Sequence, residues 1–150
     1  MSLEIREGNL FTNAPRNAIL THACNAMGVW GRGIAVTFKE MFPQEYLVYQ
    51  AMCARNGPQA GYGYIINSKV GCIIASKGYG KNVDSPELIV KQTIEAIPDI
   101  LKALPAGMEI HSPKINAGLF NVSFEHTAAA IEACLNAHDR PVKWVVWDLK

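Results

Sequence analysis

Charge imbalance, paired cysteines and long apolar runs are all missing from this 150-residue chain. Fourteen basic side chains against thirteen acidic ones leave a net charge of +1, and only 18% of residues are charged. Dedicated nucleic-acid binders carry a basic stripe that neutralises successive phosphates, so this balance argues against grip on a nucleic-acid polymer and leaves small anions open. The four cysteines, Cys24, Cys53, Cys72 and Cys134, show no C-x-x-C spacing, which predicts four reduced, mostly buried thiols and neither a zinc ribbon nor a dithiol motif. No stretch reaches transmembrane length without a charge or a Gly/Pro break, and Met1 to Glu7 lacks the basic start of a signal peptide. Repeats, low-complexity tracts and charge runs are absent too. The expectation is a single soluble domain over residues 1–150, intracellular, cytoplasmic or nuclear, monomeric, and partnered by a small molecule and no membrane.

What is present is a globular composition on the hydrophobic side: 49% apolar residues in a chain long enough to bury roughly 70% of its unfolded surface. Short runs rich in Ile, Val and Trp predict strands at Leu3 to Arg6, Ala18 to Cys24, Tyr62 to Asn67, Gly71 to Ser76, Glu109 to Ile115 and Val142 to Trp147. Helical patterns fill the gaps at Ile34 to Phe42, Gln44 to Arg55, Pro86 to Leu104 and Phe124 to His138. In the third, Val90, Ile94, Ile97, Leu101 and Leu104 predict the buried stripe, Ser85 the cap, and Pro98 a break or kink. Alternating strands and helices imply an α/β fold with a largely parallel sheet covered on both faces. A hairpin around Ser68 and Lys69 makes that sheet mixed.

In such sheets ligands bind beyond the carboxyl ends of the strands, where glycine loops meet helix N-termini. Two loops have that character. Asn25 to Ala35 carries Gly28, Gly31 and Gly33 around Trp30 and Arg32, enough freedom for main-chain N–H groups to cradle a phosphate. Ile34 and Ala35 stand where a P-loop needs Lys and Ser or Thr, so no side chain there holds a γ-phosphate or magnesium. The second loop, Asn116-Ala117-Gly118-Leu119-Phe120-Asn121, precedes a helix that starts after Ser123. Three titratable residues flank the loops: His22 in the strand before the first, Asp84 after another strand, and His126 in the first helical turn after the second. All three are expected at one sheet edge. The dipole at a helix N-terminus disfavours an imidazolium, which suits His126 to a base or nucleophile.

The segments Thr21 to Ala35 and Pro113 to Asn121 resemble the two ligand loops of macrodomains, and the form Trp-Gly-x-Gly-Ile-Ala with His before Cys-Asn is most similar to the fungal ADP-ribose 1''-phosphate phosphatase branch. The resemblance implies a macrodomain-like mixed six-stranded sheet sandwiched between helices, with an ADP-ribose derivative as substrate. It places Asn25 at the distal ribose, Gly28 to Ile34 around the terminal ribose and its phosphate, and Asn116, Ala117 and Gly118 to Asn121 at the diphosphate. It puts His22, Asp84 and His126 in the catalytic positions. Asn9 and Leu10 fall at the adenine, where many macrodomains have Gly-Asp and this chain has Gly8-Asn9; an amide oxygen still accepts there without the charge. The implied reaction uses no cofactor and no metal. Other phosphatase chemistries are poorly served: there is no Cys-x5-Arg, since Trp30 stands six residues after Cys24, and no Asp-x-Asp. Hydrolysis of ADP-ribosyl esters and non-catalytic reading of ADP-ribose are the alternatives.

Overall fold

In the computed structural model, which describes residues 3–55, 57 and 59–149, the strand–helix alternation resolves into one sheet. The elements run β1 (Leu3–Glu7), α1 (Leu10–Asn13), β2 (Ala18–Asn25), α2 (Ile34–Met41), α3 (Pro43–Ala54), β3 (Gly63–Ile66), β4 (Val70–Ser76), a 3-10 turn (Gly80–Asn82), α4 (Pro86–Ala103), β5 (Glu109–Ser112), α5 (Phe124–Ala137) and β6 (Trp144–Asp148). The six strands lie in the order β1-β6-β5-β2-β4-β3. Every pairing is parallel except β3 with β4, the expected hairpin, whose turn places Asn67 and Ser68 at positive φ.

Alternation along the strands splits the core in two. Ile19, Ile73, Ile110 and Trp144 face α4 and α5, whereas Leu20, Cys24, Cys72 and Ile74 face α2 and α3. The second layer is aromatic: Trp30, Phe38, Tyr46 and Tyr49 pack there with almost no exposure. Deleting one such ring typically costs about 3–5 kcal/mol, so this layer fixes the geometry of whatever stands on it.

α4 departs from expectation twice. Its 18 residues run unbroken through Pro98. The ring lies on the exposed side, and the carbonyl of Ile94 that Pro98 leaves free meets the Cys134 thiol of α5, Sγ to O 3.8 Å. The buried stripe is also rotated from the expected one. Ile89, Thr93, Ala96, Ile97, Ile100 and Leu101 are buried, while Ile94 is 45% exposed. Thr93 and Gln92 tolerate burial because each is hydrogen-bonded, Thr93 Oγ1 to Ile89 O at 2.8 Å and Gln92 Nε2 to Ala75 O at 2.7 Å. Ser85 caps α4 as expected, accepting from Leu88 N at 3.3 Å. Ser123 stands at the start of α5 without a side-chain cap.

Candidate functional site

The loops leaving the carboxyl ends of β1, β2, β4, β5 and β6 surround a cleft of about 1250 Å³. That exceeds the volume usual for a drug-sized ligand and suits an elongated one. Its lining takes in Asn9, Leu10, His22, Asn25, Trp30, Gly31, Arg32, Gly33, Ile34, Asn116, Ala117, Gly118, Leu119 and Phe120. Gly28, Asn121, Asp84 and His126 are not among the lining residues.

The first loop begins at a register shift between β2 and β4, where Asn25 pairs with Ser76 and Ala75 is passed over. Such a bulge re-aims the chain. Asn25 is buried and its amide is largely committed to the loop itself: Oδ1 accepts from Met27 N at 2.9 Å and Val29 N at 3.3 Å, and Nδ2 donates to Val29 O at 2.8 Å. Gly28, at φ +82°, turns the chain against Cys53 and away from the cleft. Trp30 is then inserted into the aromatic layer, stacked on Tyr49 at 5.1 Å and edge-on to His22 at 4.7 Å. With this anchor fixed, Gly31 to Ile34 arch over the floor, and Gly33, at φ +59°, opens α2 without a side-chain cap. The first-turn N–H groups of α2 are therefore unclaimed by any cap side chain, next to the exposed, cleft-lining Arg32.

The second loop is held from beneath. Asn116, at φ +69°, donates through Nδ2 to Thr93 Oγ1 at 3.0 Å and Thr127 Oγ1 at 3.2 Å, and its carbonyl accepts from Val122 N at 2.9 Å. These bonds join α4, the loop and α5. At Gly118 a Cβ would meet no protein atom within 4 Å, so the missing side chain leaves room in the cleft wall. Leu119 reaches across to the first loop, its Cδ1 3.4 Å from where a Gly33 Cβ would stand. Asn121, at φ +56°, closes the turn with its N–H on Gly118 O.

Of the three titratable candidates, His22 lines the cleft, whereas Asp84 and His126 are not among its lining residues. His22 lies on the floor, 1% exposed, its ring stacked on Phe38 at 3.8 Å, and burial pushes its pKa down to about 3. Asp84 is committed to a loop: Oδ2 accepts from Lys77 N at 2.8 Å and Gln92 Nε2 at 3.0 Å, while Asp84 N donates to Ser76 Oγ at 3.0 Å. Those bonds close the segment whose Tyr79 and Gly80 line the cleft. His126 is exposed at the start of α5, where its backbone N–H donates to Ser123 O. It sits in the first turn of α5, shortly after the second loop, and is not among the residues that line the cleft.

At the far end Asn9 also has another task. Its Oδ1 accepts from Phe11 N at 2.8 Å and so caps α1, which leaves Nδ2 as the group without an intramolecular task. Residues not singled out from the sequence complete this end: Trp147, Asp148 and Lys114. Asp148 is ion-paired to Lys114 at 3.0 Å, and Trp147 Nε1 donates to His111 Nδ1 at 3.0 Å, with His111 Nε2 on Glu109 at 2.9 Å. The only sequence signal for Trp147 and Asp148 was that β6 ends there, and Lys114 follows β5 within the second loop segment. Four buried side-chain polar atoms among the described residues have no partner, and three of them, His22 Nδ1, Trp30 Nε1 and Asn116 Oδ1, belong to cleft residues. Such atoms are costly in a closed core and concentrate where a ligand acts.

A cleft over glycine loops at the carboxyl edge of a mixed sheet is the place where α/β domains take small-molecule ligands. The Macro domain family model matches residues 21–131, and the chain belongs to that family. Relatives named ADP-ribose 1''-phosphate phosphatase include one from Chaetomium globosum, 34% identical over 85% of this chain and 81% of its own length, and one from Candida albicans, 34% identical over 88% and 93%. Among solved structures, the macrodomain of Mycobacterium tuberculosis DarG superposes with a TM-score of 0.80 at 18% identity, covering 97% of this chain and 96% of that one. Thermosipho africanus DarTG in complex with ADP-ribose superposes at 0.75 and 20% identity, over 97% of this chain and 41% of that one. No helix among the described residues is long and apolar enough to cross a membrane.

Proposed function

We propose that this chain hydrolyses ADP-ribose 1''-phosphate to ADP-ribose and inorganic phosphate without a metal ion. The observation that carries the reading is the distal end of the cleft, where the uncapped N-terminus of α2 and Arg32 converge around Gly31 to Ile34. A terminal phosphate there is met by main-chain N–H groups, the positive end of a helix and a guanidinium, all placed before the ligand arrives. Phosphoryl transfer asks chiefly for positioning and for stabilisation of charge on the phosphoryl oxygens. The fungal relatives that bear this activity as their name support the choice of substrate.

In this scheme Gly118 to Asn121 receive the diphosphate and Asn25 borders the distal ribose. His22 and Asp84 are positioning residues: His22 supports Trp30 from below, and Asp84 closes the Tyr79–Gly80 segment. His126 serves at most as a peripheral proton relay. The chain acts as a monomer on a small molecule, in the cytoplasm or nucleus. One observation favours a second reading, a binder of ADP-ribose without turnover: neither Asp84 nor His126 lines the cleft. Incubation with ADP-ribose 1''-phosphate, with and without a chelator, separates the two. Phosphate release undiminished by the chelator is expected, and binding without release establishes the binder.

A further inference from the structure

Beneath the first loop, two thiols and an imidazole meet in a way the spacing of the cysteines along the chain hides. His22 and Cys24 are two residues apart on β2 and therefore on one face of the sheet, and Cys72 lies opposite His22 in the parallel pairing of β2 with β4. One ligand atom from each lies within 4.8 Å of the other two, and His22 Nε2 stands 3.5 Å from Cys24 Sγ. Zinc bonds of about 2.3 Å to sulfur and 2.0–2.1 Å to nitrogen, arranged tetrahedrally, put sulfur and nitrogen about 3.5 Å apart. We propose that His22, Cys24 and Cys72 form a binding site for a thiophilic divalent cation, Zn2+ being the physiological one, with three protein ligands and a fourth position left for water.

Charge supports the assignment. Two thiolates, a neutral imidazole and a divalent cation sum to zero, the arrangement that an apolar pocket of Trp30, Phe38 and Tyr49 accepts at least cost. Without metal, burial and the neighbouring Cys72 hold the Cys24 thiol protonated; the Trp30 indole beside it favours the thiolate. A bound cation reverses that balance, and each thiol gives its proton to the buffer as its sulfur binds. Entry is available because His22 and Cys24 line the cleft. The cation takes no part in the proposed phosphate chemistry, in which His22 acts only by supporting Trp30. It cross-links β2 to β4 under Trp30, and its occupancy is read independently of turnover.

The test uses the reduced chain and a Cys53→Ser/Cys134→Ser variant, in which Cys24 and Cys72 are the remaining cysteines. Cd2+ is titrated while its thiolate charge-transfer absorption is followed, and Zn2+ affinity is measured by competition with a chromophoric chelator. Saturation at one equivalent is expected in both proteins. Cys72→Ala and Cys24→Ala, checked for retained folding by circular dichroism, should each weaken Zn2+ on the order of a hundredfold, about one ligand's share of a structural zinc affinity. Loss of the band in the double serine variant, or an unchanged Zn2+ affinity in Cys72→Ala, overturns the proposal, as does the absence of a saturating band.

Discussion

The two ends of the cleft differ in how much of their polarity is already spent. At the far end, Asn9 Oδ1 caps α1, Asp148 is paired with Lys114 and Trp147 Nε1 is bound to His111. At the distal end, the α2 N-terminus has no side-chain cap and the exposed guanidinium of Arg32 lines the cleft. A ligand therefore displaces existing partners at one end and completes an unfilled set at the other. Discrimination should accordingly reside in the phosphate, while the far end contributes chiefly shape.

Several substitutions break or sharpen that contrast. The largest effect is expected from Gly118→Val, midway between the ends. A Cβ at Gly118 meets no protein atom within 4 Å, so calorimetry should show ADP-ribose binding abolished while the unfolding free energy from denaturant titration stays within about 0.5 kcal/mol of the parent. Next comes Asp84. Asp84→Ala removes the bonds from Lys77 N and Gln92 Nε2, each worth about 0.5–1.5 kcal/mol, and loosens the Tyr79–Gly80 segment. Asp84→Asn keeps an accepting oxygen and should restore most of the kcat/KM that alanine loses. Equal loss in both variants would mean that the carboxylate itself takes part in the chemistry. Smallest is Asn9→Ala, which removes a helix cap worth about 1 kcal/mol in thermal unfolding and should change ADP-ribose affinity no more than severalfold, because its oxygen was already engaged.

The glycine loops were legible in the sequence because their chemistry is local: three glycines between a strand and a helix require close backbone approach, whatever the rest of the chain does. The strand–helix alternation and the hairpin around Ser68 and Lys69 were legible for the same reason. What depended on packing was not. Cys72, 50 residues after His22 and 48 after Cys24, meets them only through the register of β2 on β4, one strand spacing away. Asp84 looked like a free acid in a glycine-rich loop until the fold supplied Lys77 N and Gln92 as its partners. Pro98 looked like a helix breaker because sequence reasoning could not see Cys134 waiting at the freed Ile94 carbonyl. The buried face of α4 rotated because two polar residues, Gln92 and Thr93, found hydrogen bonds inside and turned Ile94 outward.

Arg32→Ala tests the difference between the two ends most directly. Its kcat/KM for ADP-ribose 1''-phosphate, measured by phosphate release, should fall about 10- to 100-fold, the size of a charge-assisted hydrogen bond of roughly 1.5–3 kcal/mol. Its affinity for ADP-ribose, which lacks the terminal phosphate, should stay within severalfold of the parent. An equal loss for both ligands, or unchanged phosphate release, would contradict a distal end built to select phosphate.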